Sequence, residues 1–392
     1  MDAGNDKPMR LLLVAGSAND TFIHHMARWL KASMAVEVDV FGFAPSRQQA
    51  FDDTCYECVA SACYDAWFYR RPLASFTKDL GAHRQLVRFL RGRHYDVIHC
   101  HWIATPVVLT RSLSRHCGRL FATFWGGELE QQRFLRSHAL YMRYLHRFMR
   151  SVDVVVNSEA FHEKFRAALP EFRGMYRIGH LGSAPMEELY RLMGTADRAE
   201  MRRQWQIPEG RFSVLIGYSG KELHQHLQVI EAFSRFREKG AGLLHLLAPM
   251  TRSADPSYVA EVERALADSG YSHTLVKDRF LTDAEMASLR MVTDVTFQAS
   301  RFDGFSRSIV ECLCAGSLLV YGDWLPYADY LEQDGFFALP MENMQEGVRH
   351  TLNAVAHWDG FAERLAANTE RGRDRYLWST CIRDWVDAYQ TM

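Results

Sequence analysis

Short, almost unbroken apolar runs alternate with helical patterns along the whole chain, and this alternation constrains the fold more than any other feature. In the first half the runs are MRLLLVAGS (residues 9–17), VEVDVFGF, DVIHCHW (96–102), LFATFWGGE (120–128) and VDVVVNSEA (152–160). In the second half they are FSVLIGYSG, GLLHLLAPM, HTLVKD, DVTFQAS, SLLVYG and FFALP. Runs that are apolar at nearly every position are strands covered on both faces, as in a parallel sheet flanked by helices. The expectation is an α/β chain with two doubly wound, Rossmann-like domains, and 392 residues are enough for two cores. The pattern breaks at Gly179 and Gly182 in YRIGHLGS, which reads as a hinge. The domains are therefore expected over residues 1–178 and 179–368, with an aromatic amphipathic helix (RYLWSTCIRDWVDAYQ) in the closing segment 369–392. No solenoid repeat is present.

Charge and composition narrow the function classes. Residues 1–183 carry 24 Lys/Arg against 17 Asp/Glu, and the remainder carries 22 against 30. A basic front half suits an anionic partner or an anionic membrane surface. The acidic second half speaks against nucleic acid as a partner. No apolar run approaches the roughly 20 residues of a membrane-spanning helix. The polar start MDAGNDKPMR lacks a signal-peptide core, so the expected location is cytoplasmic, with peripheral contact on the inner face of a membrane as an option. Cys55-x-x-Cys58, with Cys63 nearby, has no matching second pair and reads as ordinary reduced cysteine; no metal and no cofactor is expected. Neither half has G-x-G-x-x-G after its first strand, which argues against a dinucleotide-dependent dehydrogenase.

The stretch with most chemistry is RFDGFSRSIVECLCAG, residues 301–316. It follows a buried strand and places Asp303 before, and Glu311 within, a short helix closed by Gly316. A strand, a turn and a helix N-terminus carrying two carboxylates form a ligand site at the carboxyl end of a sheet. Phosphate suits the helix N-terminus, and neutral hydroxyls suit the carboxylates. Arg301 and Arg307 flank the motif, either as phosphate ligands or as partners of Glu311.

Other clusters sit at strand ends. GYSGKELHQH (217–226) offers Gly217 and Gly220 for close backbone approach, with Ser219, Lys221 and His226 around a diphosphate cradle; a plain strand-to-helix turn is the alternative. WGGE places Trp125, Gly126 and Gly127 in an exposed turn ahead of Glu128, which reads either as an acceptor-orienting base or as an acid at a helix start. His99 and His101 alternate on one strand, so both side chains face the same way; His101 lies nearer the carboxyl end and is either functional or a satisfied core histidine. Gly16, Ser17 and Asn19 form the first strand-end loop. Residues 131–150 read as an amphipathic helix with Arg133, Arg136, Arg143, Arg147 and Arg150 within one arc, over an apolar face including Tyr141 and Phe148.

The 301–316 stretch resembles the motif E-P-F-G-x-x-x-x-E-A-M-A-x-G of retaining GT-B glycosyltransferases of the family 4 type. Asp303, Phe305, Glu311 and Gly316 fall in register, with Asp for the first Glu and Ser306 for Gly. Gly217, Ser219, Gly220 and His226, and the Trp-Gly-Gly run at Trp125, are also similar to the bacterial 4-acetamido-fucosyl transferases of common-antigen synthesis. The resemblance implies a GT-B fold whose last helix crosses back to the first domain, with an interdomain cleft. It implies a metal-independent glycosyltransferase acting in glycan or glycoconjugate synthesis with retention of configuration. On this reading Glu311 holds the donor ribose and Asp303 the donor sugar, while Ser219, Gly220, Lys221, His226 and Arg301 surround the diphosphate. Gly16, Ser17, Trp125, Gly126, Gly127, His101 and Glu128 face the acceptor, which is a glycan, a lipid-linked group or another hydroxyl compound. Glu311→Ala is then expected to abolish transfer and spare the fold. A sugar-nucleotide epimerase, an inverting transferase and a non-catalytic glycan- or partner-binding protein are the alternatives.

Overall fold

A computed structural model describes residues 7–18, 20–44, 54–62, 74–110, 112–125, 127–130, 138–251, 255–277 and 279–390. The chain divides into two units. The first is Met1–Gly182 with Trp378–Met392, and the second is Ser183–Leu377.

The first unit holds strands β1 (Met9–Ser17), β2 (Val36–Ala44), β3 (Cys58–Ser61), β4 (Tyr95–His101), β5 (Cys117–Thr123), β6 (Val154–Asn157) and β7 (Met175–Ile178). They pair in parallel in the order β3-β2-β1-β4-β5-β6-β7. The second unit holds β8 (Phe212–Ile216), β9 (Leu244–Pro249), β10 (Ser272–Val276), β11 (Val295–Gln298), β12 (Leu318–Gly322) and β13 (Leu339–Met341). They are also parallel, in the order β10-β9-β8-β11-β12-β13. Of the central strands, β4, β8 and β11 are buried at nearly every residue and β1 through its middle five, as their apolar runs require; β6, β9 and β12 are wholly buried too.

Strand order reverses between β1 and β4 in the first sheet and between β8 and β11 in the second. Ligands of open α/β sheets bind where the carboxyl ends of such strands diverge. Four segments leave these ends: Gly16–Ser17, Trp102–Ala104, Gly217–Lys221 and Ser300–Asp303.

Local chemistry starts the helices. Asp20 accepts from the backbone N–H of Phe22 and Ile23 at 3.0 and 3.3 Å and so caps the helix Thr21–Ser33. Thr282 and Glu285 form a reciprocal capping box at the helix Asp283–Val292.

The expected boundaries shift in three places. The first division falls at Gly182/Ser183, not 178/179, because β7 pairs with β6 and extends the first sheet. None of its four residues is buried, so it carries no buried apolar run to mark it as a strand. The closing segment begins at Trp378 rather than 369. The helix Ala362–Tyr376 belongs to the second unit, where Arg375 and Tyr376 both bond the Asp334 carboxylate. Finally, β5 ends at Thr123 and WGGE leads into the short helix Gly127–Glu130.

The last helix, Trp378–Gln390, packs its buried face of Trp378, Ile382, Trp385, Ala388 and Tyr389 into the core of the first unit. Trp385 Nε1 donates to the His180 carbonyl at 2.8 Å, and Tyr389 bonds His99 Nδ1 at 2.6 Å. Gly182 meets this helix closely: a Cβ there would lie 2.4 Å from Trp378 Cγ and 2.8 Å from its Cα. Gly182→Ala is therefore expected to destabilise the chain by about 1–3 kcal/mol through overpacking. A lowered urea midpoint with unchanged slope is the expected readout, and an unchanged midpoint refutes the close packing.

Of the expected Arg-rich helix, His138–Met149 is seen; residues 131–137, including Arg133 and Arg136, lie outside the described residues. Arg143 and Arg147 are exposed on this helix, as is Arg150 just beyond it, while Tyr141, Leu145, Phe148 and Met149 join the core. No helix among the described residues is long and apolar enough to cross a membrane. Cys58 lies on edge strand β3, and Cys55 Sγ is 3.2 Å from His24 Nδ1; Cys63 lies outside the described residues.

Candidate active site

In the second unit the switch-point loops are tied into one polar network. Ser300 Oγ donates to Gln298 Oε1 at 3.0 Å, so the 2.7 Å contact to His224 Nδ1 uses the imidazole proton. That leaves His224 Nε2 to accept from the Ser219 hydroxyl at 2.8 Å. Burial pushes the His224 pKa down to about 3, which keeps this ring neutral. Gln298 Nε2 donates to Asp303 Oδ2 at 2.9 Å and lies 2.9 Å from the Tyr327 hydroxyl, which itself donates to Asp303 Oδ2. A continuous hydrogen-bonded path thus joins Ser219 to Asp303. The backbone N–H of Arg301 donates to the Leu223 carbonyl at 3.0 Å, and Gln225 Nε2 donates to the Ala299 carbonyl at 2.6 Å.

These bonds place the expected donor residues together, with changes in detail. Ser219 is buried and its hydroxyl is committed to His224. Lys221 and Arg301 are exposed on adjoining loops. His226 is wholly buried beneath the turn, with Nδ1 3.2 Å from the Tyr258 hydroxyl. It explains Gly217, whose φ of 67° and closeness to His226 (2.5 Å from an added Cβ to Nε2) leave no place for a side chain. Gly220 is buried in the same turn.

Asp303 is largely withdrawn from water. Burial pushes its carboxyl pKa up, and the hydrogen bond from Tyr327 pulls against that rise. The next turn passes through Phe305 at φ 64°, a left-handed conformation unusual for a bulky residue. The Phe305 ring stacks on Tyr330 at 5.2 Å and meets Tyr327 edge-on at 5.1 Å, contacts that offset the backbone cost.

Glu311 is buried in the helix Arg307–Cys314. Ser183 Oγ donates to Oε1 at 2.7 Å, and Arg290 Nε lies 3.4 Å from Oε2. The cation beside it is therefore Arg290, on the helix Asp283–Val292. Of the flanking arginines, Arg301 is exposed and Arg307 lies over the Tyr376 ring at 4.8 Å. Arg290 Nη1 and Arg307 Nη1 are buried without a hydrogen-bond partner in the protein, which leaves unspent donors in this unit. Sequence reasoning missed His224, Gln298, Ser300, Tyr327, Arg290 and Ser183. Only His224 carried a signal, as the first histidine of HQH.

The first unit gathers the expected acceptor residues. His99 bonds Tyr389 and Thr123 and is a satisfied core histidine. His101 stacks on it at 4.1 Å and is wholly buried, with neither nitrogen partnered. Burial pushes its pKa down to about 3. Glu128 is buried and accepts from the backbone N–H of Ile103 at 3.2 Å and of Trp125 at 3.0 Å. Burial pushes its pKa up, and these N–H groups favour the ionised form. Both side chains are withdrawn from solvent: His101 has no exposed surface, and the Glu128 carboxylate clamps two loops together. Gly16 lies against Trp102, and Ser17 ends β1. Gly127 opens the short helix, and Gly126 lies outside the described residues.

The same architecture recurs in solved structures. Sucrose-phosphate synthase from Thermosynechococcus elongatus superposes with a TM-score of 0.72 at 12% identity, covering 97% of this chain and 98% of that one. Anabaena HepE in complex with UDP-glucose gives 0.66 at 14% identity, covering 98% and 100%. WaaG, a glycosyltransferase involved in lipopolysaccharide biosynthesis, gives 0.68 at 12% identity, also covering 98% and 100%. The fold is GT-B. Residues 20–171 match the model of Glycosyltransferase Family 4. No curated protein matches the sequence. The GT-B comparison covers both units, whereas the family match lies within the first.

Proposed function

We propose that this GT-B protein is a glycosyltransferase whose second unit binds a nucleoside-diphosphate sugar. The observation that carries the reading is the pair Asp303 and Glu311 at the β11 switch point. They bracket the N-terminus of the helix Arg307–Cys314, and Lys221 and Arg301 lie on the two loops joined there. Similarity to HepE, solved with UDP-glucose, and the Family 4 match support it.

In this reading Asp303 accepts hydroxyls of the donor sugar and Glu311 those of the ribose. Lys221, Arg301 and the helix N-terminus stabilise the negative charge that grows on the departing phosphate, with no metal required. The acceptor oxygen attacks the anomeric carbon on the face the phosphate leaves. The sugar–phosphate C–O bond breaks, the new C–O bond forms, and the acceptor proton passes to a phosphate oxygen. Configuration is retained without a protein base, consistent with the burial of His101 and Glu128. The first unit takes the acceptor. The exposed Arg143, Arg147 and Arg150 suit one carried on an anionic lipid at a membrane surface.

A thermal-shift screen with UDP, GDP, TDP and ADP tests the donor assignment. One of them at a hundredfold excess over its Kd is expected to stabilise the protein by about 2.7 kcal/mol. Lys221→Ala and Arg301→Ala should weaken that shift. No response to any of the four overturns the reading. The anomeric coupling in the product, read by proton NMR, separates retention from inversion.

A further inference from the structure

Trp102 follows β4 and Trp125 follows β5. Their rings stack with centroids 5.0 Å apart and planes 10° from parallel. Trp102 is 37% exposed, a high value for so large an apolar side chain, and its backbone is held at φ 60°. One carboxylate fixes the pair: Glu128 receives the N–H of Ile103, next to Trp102, and the N–H of Trp125 itself. Phe22 braces Trp125 edge-on at 4.7 Å, and an added Cβ at Gly16 would touch Trp102 at 3.5 Å, so the strand end approaches the indole closely. Polar atoms lie alongside. Trp125 Nε1 and both nitrogens of neighbouring His101 are buried with no hydrogen-bond partner in the protein.

A flat, partly exposed aromatic face fixed at two adjacent strand ends suits one ligand chemistry. A pyranose ring presents a face of C–H groups to an indole and hydroxyls at its rim. We propose that the Trp102–Trp125 pair, held in register by Glu128, docks a pyranose ring of the acceptor. The inference rests on the glycosyltransferase reading for the word acceptor, and on the first unit alone for the site. Trp102 and Trp125 are then binding residues and Glu128 a positioning residue.

Saturation-transfer difference NMR on the whole chain tests this with methyl β-D-glucopyranoside, methyl β-D-galactopyranoside and methyl α-D-mannopyranoside, with ribitol as an acyclic polyol control. At least one pyranoside is expected to receive saturation, strongest at its axial ring protons and well above ribitol. The signal should fall at least fivefold in Trp102→Ala and in Trp102→Asn, whose side chain tolerates the left-handed backbone. Trp102→Phe should retain most of it, and Glu128→Gln should weaken it while leaving both tryptophans in place. Absence of transfer to every pyranoside, equal transfer to ribitol, or an unchanged signal in both Trp102→Ala and Trp102→Asn overturns the proposal. Nucleoside-diphosphate binding is measured in parallel. A pyranoside signal without any such binding sinks the transferase reading and leaves the platform; the reverse sinks the platform alone.

Discussion

Glu311→Ala is expected to lower folding stability by about 3–5 kcal/mol, because it strands a buried cation. The Arg290 side chain is only 1% exposed, and its Nε lies 3.4 Å from Glu311 Oε2. Its Nη1 has no hydrogen-bond partner in the protein. Removing the carboxylate would also leave the Ser183 hydroxyl without the acceptor it holds at 2.7 Å. Domains are typically stable by only about 5–15 kcal/mol, so loss of activity in this variant could not by itself be assigned to ribose binding. The structure therefore corrects the expectation that Glu311→Ala spares the fold. The double variant Arg290→Met with Glu311→Leu separates the two roles. Replacing both charges with apolar groups of similar volume is commonly neutral or stabilising. Its urea midpoint is expected to return close to that of the parent protein. Its affinity for the nucleoside diphosphate should stay weakened by roughly 10- to 100-fold, the loss of a charge-assisted hydrogen bond of about 1.5–3 kcal/mol. Full stability in Glu311→Ala would contradict the structural role, and full nucleotide affinity in the double variant would contradict the ribose assignment.

The two sheets were legible because their central strands are buried on both faces. β1, β4, β8 and β11 each read as an apolar run, and each ends at a switch point where a candidate residue had been identified. The two strands that escaped both lack that burial. β3 alternates between half-buried and exposed, and β7 has no buried residue, so neither carries a continuous buried run. Among the site residues, Asp303 and Glu311 stood out through their spacing and the strand–turn–helix around them. Their partners did not. Arg290 lies on a separate helix and Ser183 far upstream, and no local pattern links either to Glu311. Tyr327 reaches Asp303 from beyond β12, and Gln298 is one polar residue at the end of a buried strand. Such contacts depend on tertiary packing rather than on propensity or periodicity. The aromatic pair was half legible: Trp125 stood in a recognisable turn, whereas Trp102 joins it only because β4 and β5 are neighbours.

Asp303→Asn is expected to separate stability from turnover. The carboxylate sits where burial raises its pKa, so at neutral pH its charge is held against a desolvation penalty. The sign follows from linkage. The folded pKa lies above the unfolded value of about 3.9, so the folded state binds the proton more tightly. The stabilisation from this group is complete below the unfolded pKa and is lost as pH rises through the raised folded one. Relative to Asp303→Asn, the parent protein should therefore gain stability on acidification across that window. At pH 7 the Asn variant should match or exceed the parent, because its amide oxygen can still accept from Tyr327 and no charge remains to be buried. Function should move the other way. A neutral amide is a poorer acceptor for the sugar hydroxyls, and the lost charge-assisted bond of about 1.5–3 kcal/mol lowers kcat/KM for the nucleotide sugar by roughly 10- to 100-fold. Affinity for the free nucleoside diphosphate should be unchanged, since it lacks the sugar that Asp303 holds. A stability–activity opposition of this kind is what a buried charge retained for ligand binding produces. Unimpaired turnover in Asp303→Asn would remove the carboxylate from the donor site. Equal losses of UDP and UDP-sugar affinity, in a protein selective for UDP, would assign it to the nucleotide instead.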